Sequence, residues 1–149
     1  IVNGLVGSEM CIRDRVSIVD GALDLLISGM SLQKILGYIF APICWLLGVP
    51  WSEAPSAAEL LGLKLATNEF VAYIQLGGLE PEFFSDRTKV ILLYALCGFA
   101  NFSSVGILIS GIGAMAPERT GDLIDVSVKA LVGATLASCL TGLVAGLFV

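Results

Sequence analysis

The segment Val90–Pro117 reads VILLYALCGFANFSSVGILISGIGAMAP, and it is the strongest indication of the fold class of this chain. It has no charged residue and exceeds the roughly 20 apolar residues that cross the hydrocarbon core of a bilayer. Its centre, Cys97–Gly106, nevertheless holds Asn, Ser and Gly, which are costly in hydrocarbon unless they line a cavity or meet other polar groups. Because substrate sites in many transporters are built on such interrupted helices, the segment predicts a broken transmembrane helix beside a polar site.

The composition of the 149-residue chain favours a helical membrane protein. Hydrophobic residues make up 56% and charged residues 14% of the chain, against about 25% charged in a typical soluble domain, and the mean hydropathy is +0.92. Burying so much apolar surface in a soluble core of this size is hard, which disfavours a soluble helical enzyme domain. The net charge of −5, without a basic cluster, gives no sign of a nucleic-acid partner.

No residue pattern points to catalysis or to a resident metal. The chain lacks histidine, which is the commonest general base and transition-metal ligand, and it has no nucleophile elbow or phosphate loop. The cysteines form no CxxC pair, so we interpret them as small buried hydrophobes rather than as disulfides or metal ligands; they are Cys11, Cys44, Cys97 and Cys139. We predict no catalytic residue, no metal ligand and no cofactor.

The segments before the broken helix differ in character. Residues 1–15, IVNGLVGSEMCIRDR, resemble translated sequencing-adaptor DNA, and we expect them to be non-native. Leu32–Trp51 predicts an apolar helix that Ser31 caps and Pro42 kinks.

Two short apolar segments follow, 57–66 and 70–79, separated by Thr67-Asn68-Glu69. Ten helical residues reach only about 15 Å, which is half of the hydrocarbon core. We therefore predict a re-entrant hairpin over about residues 53–79. An interfacial helix, or one irregular span over 60–79, remains the alternative.

The remaining segments predict two helical spans. Ser85 or Asp86 is expected to cap the broken helix, which should occupy about residues 88–115. A final transmembrane helix is expected over about 126–149. Small residues recur in it every four positions and would let another helix approach closely; they are Gly133, Ala137, Thr141 and Ala145.

Glu69 is the sharpest candidate for a functional side chain. A carboxylate among apolar neighbours should be paired, protonated or facing water. It could accept hydrogen bonds from a polar ligand. Equally, it could form an ion pair with Lys64 or Lys89, or lie among lipid headgroups.

Asn101 and Ser104 are the second candidate pair, because residues three apart share one face of a helix. If the helix unwinds near Gly98, its second half should begin at about Phe102, with Ser103 or Ser104 as its cap. Asn and Ser together suit a neutral, hydroxyl-rich ligand, and Phe99 could supply an apolar wall. The alternative is helix packing through small and polar residues, without any ligand.

Four motifs resemble the concentrative nucleoside transporter family over about residues 18–149. They are Gly37–Pro42 (GYIFAP), Leu46–Trp51 (LLGVPW), Asn68–Tyr73 (NEFVAY) and Cys97–Ser104 (CGFANFSS). The resemblance implies that residues 16–149 are the C-terminal part of a nucleoside:cation symporter driven by sodium or protons. It also implies an all-α fold with a re-entrant hairpin, a broken helix and a final transmembrane helix, within a homotrimer in a bacterial inner or plasma membrane.

The resemblance also assigns roles to the candidate residues. Glu69 would accept hydrogen bonds from the ribose hydroxyls of a nucleoside, Asn101 and Ser104 would contact the ribose, and Phe99 would line the pocket. The family's first hairpin, which reads the nucleobase and helps form the sodium site, has no counterpart in this sequence. We therefore expect the chain alone to be inactive. The competing hypothesis is a non-transporting helical membrane subunit or scaffold, which would bind no ligand at these residues.

Overall fold

The computed structural model describes residues 14, 18, 21, 22, 25 and 32–149. The chain from residue 32 onward forms helices joined by short turns, with no strand in this described part, which confirms the all-α class. The helices are α1 Leu32–Leu46, α2 Ala54–Ala66, α3 Glu69–Gly77, α4 Asp86–Leu96, α5 Phe102–Met115, a 3-10 turn Pro117–Arg119, and α6 Thr120–Gly146. Apart from Asp14, the expected non-native segment 1–15 lies outside the described residues, as does the expected cap Ser31.

Helices α1 and α2 pack side by side and form the largest part of the core. Phe40, Cys44 and Leu47 face Ala57 and Leu61 in one buried cluster. Pro42 lies within α1, and the helix ends at Leu46 rather than at the predicted Trp51. The chain turns at Gly48, whose φ of 94° lies in the left-handed region that glycine adopts readily.

Two short helices occupy the predicted hairpin and meet at Thr67–Asn68. The Thr67 hydroxyl donates to the Leu63 carbonyl (2.7 Å) at the end of α2. The Asn68 side chain accepts from the Val71 amide (2.9 Å) and caps the start of α3. These two side chains satisfy backbone groups that a continuous helix would pair internally. The chain can therefore interrupt the helix at this turn. Entry of the two helices into a membrane from one side stays a prediction.

The helix predicted to be broken is broken. Ser85, one of the two expected caps, is the N-cap of helix α4, and its hydroxyl accepts from the Thr88 amide (3.4 Å). The helix ends at Leu96, and α5 begins at Phe102. The expected cap at Ser103 or Ser104 is wrong, because Asn101 is the cap: its backbone is extended, and its side chain accepts from the Ser104 amide (2.6 Å).

The final helix begins earlier than predicted, since α6 starts at Thr120 rather than at about residue 126, and it ends at Gly146. It packs closely on α4 through Gly142, where a Cβ would lie 2.7 Å from the Ile91 carbonyl oxygen. The predicted stripe of small residues, which would let another helix approach, does not make this contact with α4: Gly133, one of its members, is exposed and has nothing within 4 Å of a Cβ position. Spacing alone revealed that small residues recur but not which of them face a neighbour.

The described part of the chain contains one stretch long and apolar enough to cross a membrane, Pro117–Gly146. Only 22% of its most apolar part is buried by the rest of the chain. Two shorter apolar helices, Lys34–Leu46 and Phe102–Met115, accompany it.

Candidate functional site

The two helix interruptions meet at one hydrogen bond. Glu69 is the first residue of α3 and Asn101 immediately precedes α5. The amide nitrogen Nδ2 of Asn101 donates to Oε2 of Glu69 over 2.8 Å. The two residues are 32 positions apart in the sequence, so this contact exists only because both turns face the same place in the fold.

Asn101 is held so that its amide can face only one way. Its side chain is 1% exposed, and its carbonyl oxygen already accepts from the Ser104 amide. The nitrogen end of the amide therefore points at Glu69. Since a carboxylate has about four acceptor positions, Glu69 retains capacity for further donors such as hydroxyl groups.

Ser104 and Phe99 lie beside this pair rather than within it. Ser104 joins it through its backbone amide, and its half-buried side chain borders an apolar groove between α5 and α6. Phe99, with 76% of its surface exposed, borders the same groove, whose volume is about 230 Å³. The structure thus brings Glu69 and Asn101 into direct contact, whereas Phe99 and Ser104 border a neighbouring groove that neither Glu69 nor Asn101 lines.

The ion pairs that the sequence left open for Glu69 are not formed. The Lys64 ammonium donates to the Ala95 carbonyl (2.9 Å). Lys89 donates to Asp86 (2.9 Å) on the surface, and this hydrogen bond lowers the pKa of the Asp86 carboxyl. Both lysines therefore have other partners, and the described partner of Glu69 is an uncharged amide.

Helix ends give the site its electrostatic character. Helices α3 and α5 both begin there, and the amide groups in the first turn of a helix carry a partial positive charge. Glu69, in the first turn of α3, is stabilised by this charge. The arrangement offers acceptor oxygens on a carboxylate held in place by a neutral amide, which suits a neutral ligand that donates hydrogen bonds.

The sequence reasoning missed two residues next to the site. The Tyr73 hydroxyl donates to the Leu93 carbonyl (2.6 Å), and Lys64 was considered only as a partner for Glu69. Both were detectable in principle, because a helix break leaves carbonyl groups that need donors. The expectation of buried cysteines holds for Cys44 and Cys139 but is wrong for Cys97, which is exposed at the end of α4.

Comparison with known proteins identifies the family. A family model described as "Na+ dependent nucleoside transporter C-terminus" matches residues 6–146. The chain belongs to the concentrative nucleoside transporters. It is similar to their C-terminal portion, and membership makes it part of an integral membrane protein.

Individual relatives agree with this family. The nucleoside permease NupC of Helicobacter pylori is 43% identical over 124 residues, covering 80% of this chain and 30% of that protein. Human sodium/nucleoside cotransporter 1 is 39% identical over 135 residues, covering 81% of this chain and 21% of that protein. These relatives are transporters rather than enzymes, and the chain spans at most about a third of their length.

The fold agrees as well. The transporter CNTnw in an inward-facing substrate-bound state superposes with a TM-score of 0.80 at 40% identity, over 95% of this chain and 35% of that one. An intermediate state of a CNTnw variant gives a TM-score of 0.89 at 38% identity. At this identity and coverage, the interrupted helices of this chain are those of a concentrative nucleoside transporter.

Proposed function

We propose that this chain is the ribose-binding part of a longer transporter that imports nucleosides together with sodium or protons. The Glu69–Asn101 hydrogen bond carries the proposal. It joins two helix interruptions in a family whose members include nucleoside permeases, and it presents a carboxylate with acceptor positions to spare. Ribose hydroxyls are donors of the matching kind.

Each predicted site residue has a role in this proposal. Glu69 accepts from the ribose hydroxyls, and Asn101 holds the carboxylate and adds its own amide. Ser104 provides a rotatable hydroxyl at the first turn of α5, and Phe99 provides an apolar wall. A nucleoside carries no net charge, so its recognition needs this combination of donors, acceptors and apolar surface rather than a charge partner.

The coupling ion and the nucleobase are assigned to other parts of the longer transporter. We place the cation site and the base contacts in the segment that precedes this one in the family. The transporter is proposed to act as a homotrimer in a bacterial inner membrane, and the chain alone to be inactive.

A chimera tests the assignment of Glu69. Residues 16–149 replace the matching C-terminal segment of the Helicobacter pylori permease, and uptake of radiolabelled uridine is measured in cells. Glu69→Gln should lower uptake efficiency roughly 5- to 150-fold, because a ribose hydroxyl then faces a weaker acceptor at a cost of about 1–3 kcal/mol. The matched control is Glu118→Gln, which makes the same change at an exposed position.

The scaffold hypothesis makes the opposite prediction. A segment that only packs helices would tolerate Glu69→Gln, Asn101→Ala and Ser104→Ala without loss of uptake, provided that the variants reach the membrane in equal amounts. Unchanged uptake in all three variants would therefore reject the proposed ribose site in favour of a structural role.

A further inference from the structure

The break between α4 and α5 leaves the last carbonyls of α4 without donors from their own helix. The Tyr94 carbonyl accepts from the Cys97 amide (3.3 Å), as in a tightened last turn. Two others accept from side chains of the helix pair α2–α3. The Tyr73 hydroxyl of α3 reaches the Leu93 carbonyl, and the Lys64 ammonium of α2 reaches the Ala95 carbonyl.

Lys64 occupies a position that is costly for a charge. Its surface is 3% exposed, and it is the one buried charged side chain among the residues that the structure describes. Burying an ammonium group is unfavourable unless it is hydrogen-bonded and placed near opposite charge. The C-terminal end of α4 supplies that environment, because the free carbonyls there carry a partial negative charge.

The ammonium also lies close to the break itself. A Cβ on Gly98 would lie 3.7 Å from Lys64 Nζ and would collide with the Ser138 hydroxyl. Lys64 and Glu69 flank the turn between α2 and α3, one near each end of the break. Lys64 bonds to the end of α4, while Glu69 bonds to Asn101 at the start of α5.

We propose that Lys64 is a positioning residue that fixes the broken helix to the α2–α3 turn and so keeps Asn101 within reach of Glu69. Tyr73 assists it at the neighbouring carbonyl. The consequence for nucleoside binding rests on the function proposed above, whereas the consequence for the break does not. Lys64 itself touches no ligand in this proposal and acts through the Glu69–Asn101 pair.

The first measurement concerns the break alone. Hydrogen–deuterium exchange is followed in the purified chimera for peptides that cover residues 97–104. Lys64→Met should speed exchange there about tenfold or more, because local opening becomes easier, while peptides from the middle of α6 keep their rates. The matched control, Lys129→Met, removes the same charge from an exposed position on α6 and should leave the break unchanged.

The second measurement separates positioning from simple stabilisation. Binding of uridine and of 2′,3′-dideoxyuridine, which lacks the ribose hydroxyls at issue, is compared in the same proteins. Lys64→Met should weaken uridine binding about tenfold and the dideoxy analogue by less than about twofold, since the analogue makes no use of the Glu69 carboxylate. Lys64→Arg keeps a cationic donor and should recover most of the difference.

The outcomes are distinguishable. Unchanged exchange at 97–104, or equal weakening of both ligands, would overturn the positioning role. If the unaltered chimera binds neither ligand, the proposed function fails and the exchange measurement still decides whether Lys64 holds the break. Should Lys64→Met fail to fold, Tyr73→Phe serves in its place and is expected to act in the same direction with a smaller effect.

Discussion

Asn101 connects the starts of α3 and α5. Its side-chain oxygen Oδ1 caps α5, while its side-chain nitrogen Nδ2 donates to Glu69 at the start of α3. The cap fixes the orientation of the amide, and the amide in turn fixes the carboxylate. Aspartate or serine at this position would retain a cap acceptor but lose the N–H that faces Glu69. The two hydrogen bonds together therefore require asparagine at this position, whereas either bond alone would not.

Asn101→Asp tests this double role. Two carboxylates at hydrogen-bonding distance repel each other unless they share a proton, so uridine affinity in the chimera should fall about tenfold or more at mildly alkaline pH. The loss should be smaller at mildly acidic pH, where one carboxyl group regains a proton. The affinity is measured by equilibrium binding across that pH range.

Asn101→Ser is the control for charge. It retains a cap acceptor and replaces the amide N–H that reaches Glu69 with a shorter hydroxyl, without adding a carboxylate. Its loss of affinity should therefore not depend on pH beyond that of the unaltered protein. A pH-independent defect in Asn101→Asp, or none, would contradict the described contact with Glu69.

At the scale of elements, the approach of α6 to α4 depends on the absence of a side chain. Gly142 is buried, and a Cβ there would lie 2.7 Å from the Ile91 carbonyl oxygen and 3.0 Å from the Ala95 Cβ. Backbone atoms cannot move aside as the end of a flexible side chain can. Because the Ala95 carbonyl also accepts from Lys64, the end of α4 is held by α6 and by α2 at the same residue.

Gly142→Ala should lower the free energy of unfolding by about 1–3 kcal/mol, since overpacking forces the two helices apart. Thermal unfolding of the detergent-solubilised chimera measures it. The same change at Gly133 on the same helix meets nothing within 4 Å and should be neutral or raise stability by up to about 1 kcal/mol. Equal effects at both glycines would contradict the described packing.

At the scale of the whole molecule, apolar surface is distributed as in a protein surrounded by lipid or by further helices. Exposed large hydrophobic side chains occur along α6, among them Val132, Leu136 and Leu140. Two polar residues at the break between α4 and α5, Asn101 and Ser103, are buried instead. This distribution reverses the pattern of a soluble domain and agrees with membership of a membrane transporter family.

A charge placed on α6 tests this environment. Leu136→Asp lies near the middle of the apolar stretch, where an acidic residue costs about 2.5–3.5 kcal/mol on insertion scales, and it should lower the share of chimera recovered in alkali-washed membranes. Leu147→Asp, also exposed, lies beyond the end of α6 and should have little effect. Equal recovery of both variants would argue against a membrane position for this helix.

The helical class, the two interruptions and the residues at them could be predicted from the amino-acid sequence, because they depend on local composition. A run of apolar residues with Asn, Ser and Gly at its centre carries a high free-energy cost as one continuous helix in lipid. The motifs NEFVAY and CGFANFSS lie at the two turns. The four candidate site residues were found in this way, and their roles towards ribose remain predictions.

The pairing of these groups could not be predicted from the sequence, because it depends on how the helices pack. Glu69 finds Asn101 rather than a lysine, Lys64 finds the Ala95 carbonyl, and α6 uses Gly142 rather than Gly133. The first two contacts join residues 32 and 31 positions apart, and their existence depends on the directions in which separate helices run. Hydropathy and spacing report the character of a residue and its helical face, but a partner is set by where the rest of the chain places another polar group within bonding distance.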